Sequence, residues 1–179
     1  MRIPLTACMS GIAIASGLVA PAATASTTQG ISMWPGSVCQ LSIPTTNTGV
    51  RPKATGFRNE STTTSNFVIC PIPNAVGISN DNSTAGVLRL YSMDGASHSV
   101  SCTAVSGWDQ ADMHYSTKTF AVSSADPSYG YTAQWTAADF GGTNGDPIPG
   151  SIGFSVTCNL PPQVAIAHAA GVFAYEIGS

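Results

Sequence analysis

The sequence contains very little charge. Asp, Glu, Lys and Arg make up 8% of its residues, whereas about 25% is usual in soluble domains. With 6 basic and 9 acidic side chains, the formal net charge is −3, so the excess of Lys and Arg that binds phosphate backbones is missing. This composition excludes a nucleic-acid partner and predicts a neutral surface rich in hydroxyl groups.

Common motifs of enzymes and metalloproteins are absent as well. The three histidines, His98, His114 and His168, have no HExxH or similar spacing, and the cysteines form no CxxC pair, so the usual signatures of a zinc site are missing. No Gly-x-Ser-x-Gly element, typical of a nucleophilic serine, occurs. The motifs therefore predict no metal site and no cofactor, and they nominate no catalytic residue.

The N-terminus has the organisation of a secretory signal peptide. Arg2 supplies a short positive region, residues 5–20 are apolar, and Ala23-Thr24-Ala25 places small residues where a signal peptidase accepts them. We predict a signal peptide over residues 1–25 with cleavage before Ser26, which leaves residues 26–179 as a single domain. The expected location is secreted, either extracellular or periplasmic.

Two other interpretations of the N-terminus stay open. A membrane anchor needs roughly 20 apolar residues, and this run has about 16, so we predict no membrane span. Leu5-Thr6-Ala7-Cys8 resembles a bacterial lipobox, but only seven residues precede Cys8, which leaves no room for an apolar segment before it. Unless the chain starts further upstream, Cys8 is expected to leave with the signal peptide.

The cysteines predict two disulfides. An even number in an exported chain indicates a disulfide framework, and the four that follow the signal peptide are Cys39, Cys70, Cys102 and Cys158. Three pairings are possible. We favour Cys39 with Cys70 and Cys102 with Cys158, because the first two lie in the N-terminal half while the other two lie in regularly alternating segments.

The clearest strand signal lies in residues 151–160. Apolar side chains alternate there with small and polar ones, which is the period of a half-buried β-strand. The side chains predicted to face the core are Ile152, Phe154, Val156, Cys158 and Leu160. Similar segments recur without any helix-length pattern, so we predict an all-β fold: a single antiparallel β-sandwich, jelly-roll or Ig-like, of about eight strands.

Local patterns also predict how parts of the chain pair. Residues 86–93 and 98–105 flank the turn signal Asp94-Gly95 and are expected to form a hairpin. Residues 115–122 and 129–136 are expected to form a second pair.

Three segments are predicted to lie outside the sheets. Residues 26–30 are polar and expected to be loose, and residues 43–53, rich in Pro, Thr, Asn and Gly, are expected to form a loop. Residues 161–170 are expected to make one turn of helix at most.

Several short segments occur in an order that resembles a recurring group of uncharacterised secreted bacterial proteins. They are Phe67-Val68-Ile69-Cys70-Pro71, Val100-Ser101-Cys102-Thr103, Val156-Thr157-Cys158-Asn159-Leu160-Pro161 and the terminal Tyr175-Glu176. The resemblance covers residues 38–176. It implies a secreted β-sandwich with two disulfides and supports the favoured pairing, and it implies no activity.

The best candidate site is a cluster of side chains in residues 108–114. Trp108, Asp109, Asp112 and His114 bring an indole, two carboxylates and an imidazole together within one short segment. A glycan site uses an aromatic platform beside hydrogen-bonding carboxylates, and a glycoside hydrolase uses a carboxylate pair. The alternative is that these residues form a polar loop between two strands and have no role in binding or catalysis.

Two classes of function are therefore weighed. We favour a secreted, non-catalytic module with a binding, adhesion or structural role, whose partner is a polysaccharide or a cell-surface component. The alternative is a small secreted hydrolase that acts on a glycan or peptide, with Asp109, Asp112 and His114 as its acids and base. Convergence of these three side chains in one concave pocket would favour the hydrolase.

Overall fold

The protein is all-β. The computed structural model describes residues 26–43, 49–74, 83–109, 112–151 and 153–177, with the side chains of residues 26, 27 and 175–177 left aside. Apart from strands, these residues form three short 3-10 helices, Gly36–Val38, Pro127–Tyr129 and Ala137–Phe140. No helix in the described part of the chain is long and apolar enough to cross a membrane.

The described residues form eleven strands in two antiparallel sheets. Their bounds are β1 Ser26–Pro35, β2 Gln40–Leu41, β3 Val50–Lys53, β4 Gly56–Asn59, β5 Asn66–Pro71, β6 Ser83–Ser92, β7 His98–Ser106, β8 His114–Val122, β9 Tyr131–Thr136, β10 Phe154–Leu160 and β11 Val164–Ile177. The first sheet has the order β3-β4-β11-β6-β9, with β1 also paired to β11, and the second has the order β2-β5-β10-β7-β8. The predicted count of about eight strands is not confirmed.

Both sheets contribute their inner faces to one apolar core. Leu88, Leu90 and Trp135 of the first sheet belong to the same buried cluster as Val100 and Val156 of the second. Burial of side chains of this size is worth about 1.5–3 kcal/mol each. The fold is therefore sandwich-like, while its assignment to the jelly-roll or Ig type stays a prediction.

The strand at the centre of the second sheet follows the predicted alternation. Phe154, Val156, Cys158 and Leu160 of β10 are buried, and Ile152 lies outside the described residues. The disulfides Cys39–Cys70 and Cys102–Cys158 are both present, which confirms the favoured pairing. Cys102 and Cys158 lie directly opposite each other on β7 and β10, so this bond joins two neighbouring strands at the core.

Both predicted strand pairs are wrong. β6 pairs with β11 and β9 in the first sheet, whereas β7 pairs with β10 and β8 in the second. The turn at Asp94-Gly95 does occur, with Gly95 at φ 74°, but it carries the chain from one sheet to the other. The same applies to β8 and β9. A short turn suits either arrangement, and here Leu88 and Val100 belong to one core from opposite sheets.

Each of the three segments expected outside the sheets contributes residues to a strand. Residues 26–30 belong to β1, residues 50–53 form β3, and residues 164–170 belong to β11. β3 forms a hairpin with β4, the next strand of the chain, whereas β1 joins the distant β11, with Ser32 opposite Gly171. Such pairing overrides weak local preference because it supplies backbone hydrogen bonds that the segment alone cannot make.

Some predictions concern residues beyond this description. The signal peptide at residues 1–25, including Cys8, lies outside the described residues, and export of the chain stays a prediction. The assignment of residues 26–179 to a single domain likewise stays a prediction.

Candidate binding surface

The candidate cluster lies in the hairpin loop between β7 and β8. Gly107, at φ 126°, begins this loop, and a Cβ atom there would overlap the carbonyl oxygen of Asp112. The Gly107 amide donates to the Gly153 carbonyl over 2.9 Å, and the Ser106 hydroxyl donates to the Pro149 carbonyl over 2.6 Å. The base of the loop is therefore fixed against Pro149 and Gly153 by close backbone packing that only glycine permits.

Two aromatic side chains project from this end of the molecule. Trp108 is 74% exposed and Tyr115, the second residue of β8, is 64% exposed. Together with Asp109 and Met113 they line an open concavity of about 540 Å³. Exposed rings that are held by a rigid base offer stacking area at low entropic cost, so the prediction that Trp108 is a surface aromatic is consistent with the structure.

The acidic and imidazole groups do not assemble into one acid–base centre. His114 Nε2 lies 3.4 Å from Asp112 Oδ1, and the Asp112 side chain is 63% exposed. Asp109 instead faces the concavity beside Trp108, and neither Asp112 nor His114 is among the described residues that line it. The three side chains therefore fail the geometric condition set for the hydrolase.

A second group of Ser, Asp and His side chains has the wrong connectivity for nucleophilic catalysis. Asp94 Oδ1 accepts from the Ser92 hydroxyl, from His98 Nε2 and from the Ala96 amide, at 2.8, 2.8 and 2.9 Å. A nucleophilic serine must bond to the base, yet here both groups bond to the acid. The hydrogen bonds from His98, Ser92 and Ala96, in that order, lower the pKa of Asp94 to about 2. This network stabilises the turn after β6.

The outer face of the second sheet carries no charged side chain among its described strand residues. We name this surface the hydroxyl face and define it by the outward-pointing members of β2, β5, β7, β8 and β10. They are Gln40, Phe67, Ile69, Pro71, Ser99, Ser101, Thr103, Val105, Tyr115, Thr117, Thr119, Ala121, Ser155, Thr157 and Asn159. Hydroxyl groups dominate the centre of this face. Tyr115 lies at the end of the face that is next to Trp108 in the loop between β7 and β8.

The hydroxyl groups form rows across the strands. Thr157, Thr103 and Thr117 are register neighbours on β10, β7 and β8, and the hydroxyls of Thr103 and Thr117 lie 2.8 Å apart. Asn159, Ser101 and Thr119 form the next row. Neighbouring strands are about 4.8 Å apart, and alternate residues along a strand about 6.8 Å. The face is therefore a regular, neutral array of hydrogen-bonding groups.

The edge of this array is tied to the other sheet. Lys118, which points to the inner side of β8, donates to Asp139 Oδ2 over 2.7 Å and to the Gln134 carbonyl over 2.8 Å. The Trp135 indole donates to the Ser116 carbonyl over 3.2 Å. An inward-pointing charge at an edge strand also discourages unwanted strand pairing. The edge strand that carries Tyr115 is thus held in a fixed position.

Sequence reasoning missed Tyr115 and the array beside it. The signal was the alternation of Tyr115, Thr117 and Thr119 with Ser116 and Lys118, which marks one face of a strand. Its neighbours could not be read from the sequence, because they come from β7 and β10. Among the described residues, no group of three or more His, Cys, Asp or Glu side chains is arranged to hold a metal ion.

No family model, curated protein sequence or solved structure matches this chain. The features that bear on function are therefore those of the chain itself. They are the two exposed rings of Trp108 and Tyr115 and the neutral hydroxyl face that continues from them.

Proposed function

We propose that the protein is a secreted, disulfide-stabilised β-sandwich module that binds a neutral polysaccharide without cleaving it. The ligand lies along the hydroxyl face and stacks a sugar ring on Trp108, with Tyr115 beside it. The single observation that carries this proposal is the continuity between two exposed rings and an uncharged array of hydroxyl groups.

The chemistry of the surface selects the ligand class. A neutral glycan presents hydroxyl groups and apolar ring faces, and these match Ser and Thr hydroxyls and aromatic platforms respectively. When a ligand replaces water at one surface hydroxyl, the free energy of binding changes little. The array therefore favours a ligand that is long enough to make many such contacts. An extended polysaccharide satisfies this condition better than a short oligosaccharide.

The expected compartment agrees with this role. Disulfides persist in oxidising environments, and both bonds of this chain lie in its core. The segment over residues 1–25 and the resemblance to secreted bacterial proteins support export. An extracellular module would meet polysaccharides of a cell wall or matrix.

The test measures depletion of the protein from solution by insoluble polysaccharides. Microcrystalline cellulose, chitin and an insoluble β-glucan serve as probes, with wild type compared with Trp108→Ala and Tyr115→Ala. Loss of a stacking ring should weaken binding by about 1–3 kcal/mol, or about 5- to 150-fold in affinity. Tyr129→Ala is the matched control, because Tyr129 is 80% exposed but lies in the 3-10 helix that precedes β9.

Two further readouts make the result decisive. The melting temperature of Trp108→Ala should equal that of wild type, since truncation of an exposed side chain costs little stability. Release of soluble sugar during incubation would instead favour the hydrolase. Equal binding by wild type and both ring variants, or no binding to any probe, would refute the proposal.

A further inference from the structure

The outer face of the first sheet concentrates the basic residues of the protein. Arg51, Lys53, Arg58 and Arg89 lie on β3, β4 and β6. Glu60 pairs with Arg51 over 2.8 Å and with Lys53 over 3.2 Å. In the described part of the chain, neither Arg58 nor Arg89 has a carboxylate within 4.0 Å. Among the described residues, these two guanidinium groups therefore have no ion-pair partner.

These two arginines flank a buried tyrosine. Tyr91 of β6 lies opposite Ala165 of β11, and Arg58 of β4 lies opposite Ala165 on its other side. The Arg58 guanidinium carbon is 6.0 Å from the centre of the Tyr91 ring. Arg89 precedes Tyr91 by two residues on the same strand, so both side chains point to the same face. Arg58, Arg89 and Tyr91 thus share one face of the sheet, with the Arg58 guanidinium near the Tyr91 ring.

Each of these three side chains has a buried donor without an acceptor. The Nε atoms of Arg58 and Arg89 and the hydroxyl of Tyr91 are buried and have no hydrogen-bond partner among the described residues. Tyr91 is only 3% exposed. Arg89 Nη1 donates to the Gly130 carbonyl over 2.7 Å, which fixes this guanidinium in place. Buried donors are nearly always paired in folded proteins, so these three donors suit a ligand that supplies several oxygen acceptors.

We propose that Arg58, Arg89 and Tyr91 bind an oxyanion of the phosphate or sulfate class. Such a group accepts several hydrogen bonds at once, and its charge of about −2 balances two guanidiniums. The side chains of Arg58 and Arg89 are half-buried, so an anion can contact their exposed parts from solvent, whereas the buried Nε atoms and the Tyr91 hydroxyl become accessible to it when these side chains shift. This site lies on the side of the molecule opposite the hydroxyl face, and it is independent of polysaccharide binding there.

The electrostatics of the neighbouring histidine agree with an excess of positive charge. His168 of β11 lies opposite Arg89. Burial, and after it the charge of Arg89, lower the pKa of His168. Arg58 and Arg89 form a local positive region on a protein whose formal net charge is −3, and such a region attracts anions.

The test titrates the full chain with inorganic phosphate at constant ionic strength and follows binding by calorimetry and by the rise in melting temperature. Wild type should bind saturably. Tyr91→Phe, which removes a single oxygen atom, should weaken binding about two- to tenfold, and Arg58→Gln should weaken it tenfold or more. Arg51→Gln is the matched control, because it removes the same charge from the adjacent strand at a position already paired with Glu60.

The outcomes separate a built site from general charge attraction. Strong loss in Arg58→Gln with near-normal binding in Arg51→Gln supports the proposal, as does a loss in Tyr91→Phe, which keeps every charge. Equal losses in the two arginine variants, or no saturable binding by wild type, would overturn it. Parallel titrations with sulfate and with a sugar phosphate identify the source of the group: binding of the inorganic ions alone indicates a free anion, and binding of the ester as well indicates a group carried on a larger molecule.

Discussion

Replacement of Gly107 by alanine should damage the candidate site without removing any of its functional groups. Gly107 has φ 126°, a region that residues with a side chain rarely adopt. A Cβ there would overlap the Asp112 carbonyl oxygen and lie 3.0 Å from both the Asp112 carbonyl carbon and the Met113 Cα. These are backbone atoms, so no change of rotamer can relieve the overlap.

The size of the effect follows from two contributions. Backbone strain at such a φ is of order 1–3 kcal/mol, and overpacking against fixed atoms adds about 1–3 kcal/mol. Alanine also reduces the conformational freedom of the unfolded chain, which stabilises the folded state by about 0.4–1 kcal/mol. Gly107→Ala should therefore lower the free energy of unfolding by roughly 2–5 kcal/mol, less if the loop shifts to relieve the overlap.

Urea unfolding at constant pH measures this difference, and Gly145→Ala separates its two causes. Gly145 also has a positive φ, 97°, but a Cβ there would meet nothing within 4 Å. Gly145→Ala should therefore lower the free energy of unfolding by only about 1–2 kcal/mol, through backbone strain alone. Equal midpoints and slopes for the two variants would refute the view that contact with Asp112 shapes the loop. If the Gly107→Ala variant bound the polysaccharide as tightly as wild type does, the view that loop geometry orients Trp108 would be refuted.

Three further predictions concern the fold around the site. Cys158→Ser breaks the bond to Cys102 and should cost about 2–5 kcal/mol in urea unfolding; an unchanged midpoint would contradict this. Lys118→Met removes an ion pair that is only partly shielded from solvent, so we expect a loss of about 1 kcal/mol by the same assay, and a stabilised variant would count against the role of the pair. Because hydrogen bonds hold the pKa of Asp94 at about 2, below its ordinary value of 3.8, the stability that Asp94 provides is complete above pH 3.8 and lost as the pH falls towards 2. Asp94→Asn should flatten acid unfolding in that window, and an identical pH profile would argue against the network.

Short-range pattern predicted the faces of the strands but not their partners. The alternation in β10 predicted which of its described side chains are buried, because one face of the strand must meet the core. In β6 the alternation is incomplete: Leu88 and Leu90 are buried and Arg89 is half-buried, but Tyr91 on the outer face is buried as well. The predicted hairpins failed because a turn such as Asp94-Gly95 serves a connection within one sheet or between two. That choice depends on β10 and β11, which come much later in the chain.

The candidate site was predictable to the same extent. Trp108 and its acidic neighbours formed a recognisable cluster in the sequence, and the structure places Trp108 at the surface. The hydroxyl face was not predictable, since its rows combine Thr103, Thr117 and Thr157 from three strands. Nor was the arginine site, because Arg58 meets Tyr91 only across β11. Patterns within a segment reveal a face, whereas a site needs the register between segments.

The two outer faces of this protein differ in the kind of ligand that each can hold. The hydroxyl face has no charge among its described strand residues, so each of its contacts replaces an equivalent contact with water and contributes little. Useful affinity there requires an extended ligand and the stacking area of Trp108 and Tyr115.

On the opposite face, Arg58 and Arg89 carry charges in a partly buried setting, where a charge-assisted hydrogen bond is roughly twice as strong as a neutral one. A few such bonds suffice for a small ion. Scarcity of charge therefore makes the position of each charged group informative: where charge is missing the surface favours long neutral polymers, and where it is concentrated the surface favours a compact anion.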